Sequence, residues 1–270
     1  MTSKLRKINN VIQVILYDQF SKFQEIGMSK VAFISGGNRG IGFETAKALG
    51  AQGINLIIGC RDLTKGQAAA KELQGMGFKA EAIAYDASDE KSADSVYNHI
   101  EKNYGELDVL INNAGMITED LIGKNSSSFV SQSVLQQTFH TNLFAVVALT
   151  QKLLPLLMKS VAGRIVNLSS IVGSLTLQSM ENSPIGPAKA FAYNASKTAL
   201  NAYTIHLAHE LKDTLIKVNS AHPGWVKTEL GGPHAPMEIS DSYKTSLRLA
   251  TLDSHGPTGG FFHESDSLPW

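Results

Sequence analysis

"ISGGNRGIG" (Ile34–Gly42) follows an apolar run, "KVAFIS" (Lys30–Ser35), and opens a helical pattern, "GFETAKALGAQG". Gly36, Gly40 and Gly42 fall as GxxxGxG, with Arg39 inside the loop. Glycine accepts positive φ in a tight turn, and without a Cβ it lets a ligand come close to the backbone. A helix starting in such a turn aims its free N–H groups and the positive end of its dipole at that ligand, which favours an anion. Strand, glycine turn and helix together are the context that the pyrophosphate of a dinucleotide requires.

Outward from this loop, short β-rich runs recur at Ile54–Gly59, Ala80–Tyr85, Leu107–Asn112, Gly163–Ser169 and Ile216–His222. Several are almost continuously apolar, as strands covered on both faces are. The stretches between them, such as "TKGQAAAKELQGMG" and "ASDEKSADSVYNHIEKNYG", carry charge along one face and glycine at the end, the mark of helices. This alternation predicts an α/β fold with a doubly wound parallel sheet of about seven strands flanked by helices. No repeat, low-complexity segment or long linker interrupts residues 29–270, which read as one domain. Residues 1–28 read as a separate N-terminal extension. Leu5, Ile8, Ile12, Ile15 and Leu16 give it a helical period with a basic start, so an interfacial anchor and a dispensable leader both fit. Gln13 and Asp18 break the apolar region and argue against a signal peptide.

Composition narrows the partners. Twenty-four basic side chains balance 24 acidic ones, so no net field draws the chain to nucleic acid or to anionic lipid. A small-molecule substrate is expected instead. A lone cysteine, Cys60, excludes an internal disulfide framework and a cysteine metal cage, and it fits a reducing, cytoplasmic compartment. No run approaches the ~20 apolar residues of a membrane span. "HLAHE" (His206–Glu210) has the wrong order for a zinc helix and no third ligand nearby, so no metal is expected. The N-x-S matches at Asn125, Asn167 and Asn194 read as chance, because the last two fall within proposed active-site elements.

The end of the second strand bears on cofactor choice. NAD binding favours a carboxylate there for the ribose hydroxyls, and this chain has Cys60 followed by Arg61. With no carboxylate to repel a 2′-phosphate, and with Arg39 and Arg61 available to pair with it, NADP is the expected cofactor.

Two further strings carry chemistry. "VNLSS" (Val166–Ser170) closes the fifth strand, and "YNASK" (Tyr193–Lys197) sits in a helical segment reaching about Lys212, with tyrosine and lysine on one helix face. A phenol titrates near ~10, and a neighbouring ammonium together with the positive nicotinamide ring favours its phenolate and lowers that value, making Tyr193 a usable proton donor or acceptor. Ser170, at a strand's carboxyl end, stands where open α/β sheets keep their sites. Singly, each string has a bland reading: YxxxK recurs in many helices, and Ser-Ser often just ends a strand.

Together with "NNAG" (Asn112–Gly115), "TN" (Thr141–Asn142) and "HPGWVKTEL" (His222–Leu230), these strings resemble the short-chain dehydrogenase/reductase family from Lys30 to the C-terminus. "GGNRGIG", "CRDLTKGQAA" and "LDVLINNAG" look most like its NADPH-dependent carbonyl reductase branch. The resemblance implies a Rossmann-type domain and a tetrad of Asn142, Ser170, Tyr193 and Lys197. Ser170 would polarise a substrate carbonyl and Tyr193 would protonate the alkoxide. Lys197 would hold the ribose hydroxyls and lower the tyrosine pKa, and Asn142 would anchor a water that relays protons. It further implies cofactor contacts from Gly36, Asn38, Arg39, Gly40, Ile41 and Gly42, and from Arg61. Asp86 and Ala87 would contact the adenine, Asn113 would form the adenosine-side wall, and Val226 and Thr228 would meet the nicotinamide amide and the pyrophosphate.

The chain departs from the family between Ser170 and Tyr193, where "LQSMENSPIGPAKAF" (Leu177–Phe191) is longer than in compact members and shorter than in the animal monomeric reductases. Two prolines and no periodicity make it a loop beside the substrate mouth, and leave monomer and homo-oligomer both open. Ile117–Phe129 and Thr228–Tyr243 read as further substrate loops or a lid. The rival to an enzyme is a catalytically idle dinucleotide sensor or interaction protein, against which the intact proton-donor set argues.

Overall fold

The computed structural model describes residues 29–122, 125 and 127–270. The extension expected at residues 1–28 lies outside the described residues. Val31–Trp270 forms one compact unit.

Eight strands make a single sheet: β1 Val31–Ser35, β2 Asn55–Cys60, β3 Ala80–Ala84, β4 Val109–Asn112, β5 Arg164–Leu168, β6 Lys217–Ala221, β7 Phe261–His263 and β8 Asp266–Ser267. Their order is β3-β2-β1-β4-β5-β6-β7-β8. The first seven pair in parallel, and β8 turns back antiparallel on β7. The doubly wound α/β sheet expected from the sequence is therefore present. About seven strands were expected and six were located; β7 and β8, of three residues and two residues, are too short to carry a period.

Side chains alternate across the sheet. Phe33, Ile57, Leu110 and Ile165 face one apolar cluster, while Ala32, Ile34, Leu56, Ile58, Val109, Ile111 and Val166 face another. Helices cover both sides. α1 (Gly40–Gly50) and α2 (Leu63–Gly75) lie on the second face, with Ala46, Leu49, Ala69 and Leu73 buried against it. α3 (Glu90–Asn103) covers the first with Val96 and Ile100. α4 (Gln132–Phe139) runs through a π turn at His140–Phe144 into α5 (Ala145–Leu157), which adds Leu149, Leu153 and Leu156 to the same layer. A short α6 (Leu175–Ser179) precedes the long α7 (Phe191–Glu210), and α8 (Lys244–Ala250) completes the second layer. Each fully buried Leu, Ile or Phe contributes roughly 1.5–3 kcal/mol, so burial on both faces accounts for the near-continuous apolar runs.

Beyond β1 the chain builds outward to β2 and β3, then returns to place β4 on the opposite side of β1. That reversal opens a crevice at the carboxyl ends of β1 and β4, where the glycine loop and "NNAG" meet.

Candidate active site

The crevice is a cleft of ≈ 1160 Å³. At one end Gly36 and Gly40 take φ of +65° and +56°. Gly42 allows no side chain: a Cβ there would lie 2.4 Å from the Gly36 carbonyl oxygen. A Cβ on Gly40 would meet nothing nearer than Thr228 Cγ2 at 3.9 Å, so this face of the loop is open to a ligand. The first turn of α1 contains no acidic residue and its N-cap, Arg39, makes no side-chain capping bond, which leaves the positive end of the helix without a protein anion. These features fit a pyrophosphate.

Asn38, Arg39, Ile41, Arg61, Asp86, Ala87, Val226 and Thr228 line the same cleft. Arg39 is exposed and ion-paired with Glu229 across the opening. The Ser88 N–H and hydroxyl, together with nearby Arg61, hold the Asp86 carboxyl below its ordinary value. Cys60 faces the cleft from the end of β2, and its Sγ reaches the Asp62 carbonyl at 3.3 Å. Asn113 also lines the cleft, but its side chain braces the glycine loop by donating to the carbonyls of Ser35 at 2.8 Å and Gly36 at 3.1 Å. Thr228 Oγ1 accepts from the Gly231 N–H at 3.0 Å and closes the turn after Val226.

At the other end stand Ser170, Tyr193 and Lys197. β5 delivers Ser170, and α7 presents Tyr193 and Lys197 one turn apart on its buried face. Ser170 and Tyr193 line the cleft together, and Ser170 favours the ionised form of the phenol. Lys197 Nζ lies 5.7 Å from the centre of the tyrosine ring and donates to the Leu168 carbonyl at 2.7 Å. Burial pushes the Tyr193 phenol up to about 12, with Ser170 pulling the other way. Burial also brings the Lys197 ammonium down to about 8. In the chain without cofactor, burial dominates the phenol, because removing water from a phenolate is costly.

Asn142 occupies the π turn and is fully buried, outside the cleft lining. Its Oδ1 accepts from the Met116 N–H at 2.8 Å, and its Nδ2 donates to the Met116 carbonyl and to Ser196 Oγ. A Cβ on Gly115 would fall 3.4 Å from Asn142 Oδ1 and 3.6 Å from Lys197 Nζ, so this glycine separates the two.

His222, to which sequence reasoning assigned no role, lines the cleft, and its Nδ1 accepts from the Ile171 N–H at 3.3 Å, just beyond Ser170. Burial, with His263 adjacent, holds His222 down to about 3, so it is neutral at ordinary pH. The stretch expected as a loop at residues 177–191 is helical at its start, in α6, and irregular after it. Pro184, Ile185, Pro187 and Ala188 from this stretch line the cleft, and Ala188 and Ala190 are buried against Tyr193. Among the described residues no cluster suits a metal ion, and no helix is long and apolar enough to cross a membrane.

Comparison with known proteins agrees with this geometry. Residues 30–238 match the short chain dehydrogenase family. The chain is 30% identical to salutaridine reductase of Papaver bracteatum, over 88% of this chain and 95% of that protein. It is likewise 30% identical to human carbonyl reductase [NADPH] 1, over 89% of this chain and 98% of that one. Among solved structures, NADPH-bound carbonyl reductase from chicken fatty liver superposes with a TM-score of 0.76 at 26% identity, covering 90% of this chain and all (100%) of that chain. With its doubly wound sheet, glycine loop and serine–tyrosine–lysine cleft, this chain belongs to the short-chain dehydrogenase family, near its carbonyl reductase branch.

Proposed function

We propose that this protein is an NADPH-dependent reductase of ketones or aldehydes, running in reverse as an alcohol dehydrogenase when the cofactor ratio allows. The observation that carries this reading is the convergence of Ser170, Tyr193 and Lys197 in the cleft that begins at the glycine loop, with Lys197 Nζ 5.7 Å from the centre of the tyrosine ring. The glycine loop, Arg39, Arg61, Asp86, Ala87, Val226 and Thr228 would hold NADPH, which supplies the hydride when bound. Ser170 holds the carbonyl oxygen of the substrate, and Tyr193 delivers the proton that converts the alkoxide to an alcohol. The phenol is protonated at working pH, as a proton donor must be. Lys197 orients the ribose hydroxyls. Asn142, separated from Lys197 Nζ by the side-chain-free Gly115, is suited to anchor the water that returns a proton to the lysine.

The substrate end is apolar. Leu121, Ile171, Ile185, Leu230 and Trp225 line it, which supports an uncharged carbonyl compound with a hydrophobic body. The single cysteine supports a cytoplasmic setting. Steady oxidation of NADPH with a panel of activated ketones is the expected outcome. Tight NADPH binding with no oxidation across the panel would favour an idle sensor instead.

A further inference from the structure

The helix that carries Tyr193 has no cap of its own. α7 follows Ala190, which makes no side-chain capping bond, and its first turn contains no acidic residue. The N–H groups of a first helical turn have no partner inside the helix. One of them, that of Tyr193, donates to Glu119 Oε2 at 3.0 Å, across 74 positions of sequence.

Glu119 lies in the segment after β4, where exposure alternates. Ile117, Glu119 and Leu121 are partly buried, while Thr118, Asp120 and Ile122 are exposed. The backbone bends at Glu119 and again at Leu121 and Ile122, and Ile117, Glu119 and Leu121 are the residues it turns away from solvent. Ile117 and Leu121 pack against the cluster of Val172, Ala188, Ala190 and Tyr193. The carboxylate therefore reaches the Tyr193 N–H flanked by two apolar side chains packed on the cluster to which Tyr193 belongs.

We propose that Glu119 is a positioning residue for Tyr193: it caps α7 from the neighbouring loop, fixes the main chain that aims the phenol at Ser170, and holds residues 117–122 as a wall of the substrate cleft. The inference rests on reading Tyr193 as the proton donor. Glu119 acts through the tyrosine main chain, by a charge-assisted bond at the positive end of the helix. A cap that only stabilised the fold would change unfolding and leave the turnover of the folded enzyme alone. A positioning cap changes turnover, because reacting groups tolerate little displacement: misplacement by 1 Å costs about a hundredfold in favourable cases.

The full chain carrying Glu119→Ala, Glu119→Gln or Glu119→Asp is compared with the unaltered chain in four readouts: kcat, KM for one ketone, NADPH Kd by fluorescence, and the urea midpoint. Glutamine keeps an acceptor at the same reach and is expected to hold kcat within about twofold. Aspartate keeps the charge but withdraws it by one methylene, and alanine removes it. Both are expected to lose about tenfold in kcat, or about 1.4 kcal/mol of barrier, with NADPH Kd unchanged. Alanine within twofold of the unaltered kcat, or glutamine as slow as alanine, overturns the proposal. Should the alanine variant not fold, unaltered kcat in the aspartate variant overturns it equally. Tyr193→Phe run in parallel separates the two layers. If Tyr193→Phe turns over, the proton-donor reading fails. If it is inactive while the alanine and aspartate variants run normally, only the positioning role fails.

Discussion

Arg61→Ala is expected to weaken the preference for NADPH over NADH, and the structure sets the size of the effect. Arg61 follows β2, is exposed in the adenosine half of the cleft, and is a counter-charge to Asp86. A hydrogen bond to a charged group is worth ~1.5–3 kcal/mol, and exposure puts this one at the lower end. A loss of ~1.5 kcal/mol is about tenfold in affinity. Asp86 adds to this: the Ser88 bonds favour its carboxylate, and without Arg61 that negative charge stays in the cleft with one counter-charge fewer. NADH has no such phosphate and should be almost unaffected. Arg39 is the internal control. It is already paired with Glu229 and must exchange that partner to bind phosphate, so Arg39→Ala should cost less than Arg61→Ala. Cys60→Asp should act in the same direction as Arg61→Ala, and the double variant should favour NADH. The thiol it replaces packs on Gly66, where an added Cβ would fall 2.2 Å from Sγ, so Gly66 must be kept. The assay is kcat/KM for both cofactors with one ketone. An unchanged ratio in both Arg61→Ala and Cys60→Asp would refute the NADP assignment.

Two further outcomes are open to measurement. Gly42→Ala places a methyl 2.4 Å from the Gly36 carbonyl oxygen and 2.5 Å from Asn113 Nδ2. Overpacking of this kind costs about 1–3 kcal/mol, so a lower urea midpoint and weaker NADPH binding are expected, and a variant equal to the parent in both would contradict the reading of the loop. The second outcome concerns Lys197, which falls to about 8 in the folded chain from an ordinary value of 10.5. Between those values the unfolded chain binds a proton that the folded chain does not, so stability rises with pH, by at most about 1.4 kcal/mol per pH unit. Tyr193 acts in the opposite sense only above its unfolded value near ~10. Urea unfolding at pH 8, 9 and 10 should therefore show the cofactor-free protein gaining stability relative to Lys197→Met, whereas parallel curves would mean that the lysine is not buried as described.

Much of this was legible in the sequence because it rests on local signals. The glycine spacing names a turn, the apolar runs name buried strands, and serine and tyrosine–lysine sit at the ends of elements that the same patterns define. Boundaries moved by a residue or two, as in β4, which begins at Val109 rather than Leu107. What was not legible depends on contacts distant in sequence. Glu119 is an ordinary loop carboxylate until α7 folds beside it, and its alternating neighbours are too few to announce a strand. His222 is recognisable only as part of a motif until the Ile171 N–H is seen to point at it. The shift in the Tyr193 phenol escaped because burial is a property of the packed pocket, whereas the sequence displays only the charge of Lys197. Asn113 reads as a ligand contact in a string, and three-dimensional placement reveals the brace it makes under the loop.

The account turns on one proton. Tyr193→Phe keeps the ring and its packing and removes the hydroxyl beside Ser170. The measurement is kcat for ketone reduction beside NADPH Kd by fluorescence in the same preparation. Turnover should fall by far more than tenfold, which is ~1.4 kcal/mol of barrier, while Kd stays within about twofold of the parent. A variant that binds NADPH and retains more than about a tenth of the parent kcat would contradict the assignment of Tyr193 as proton donor.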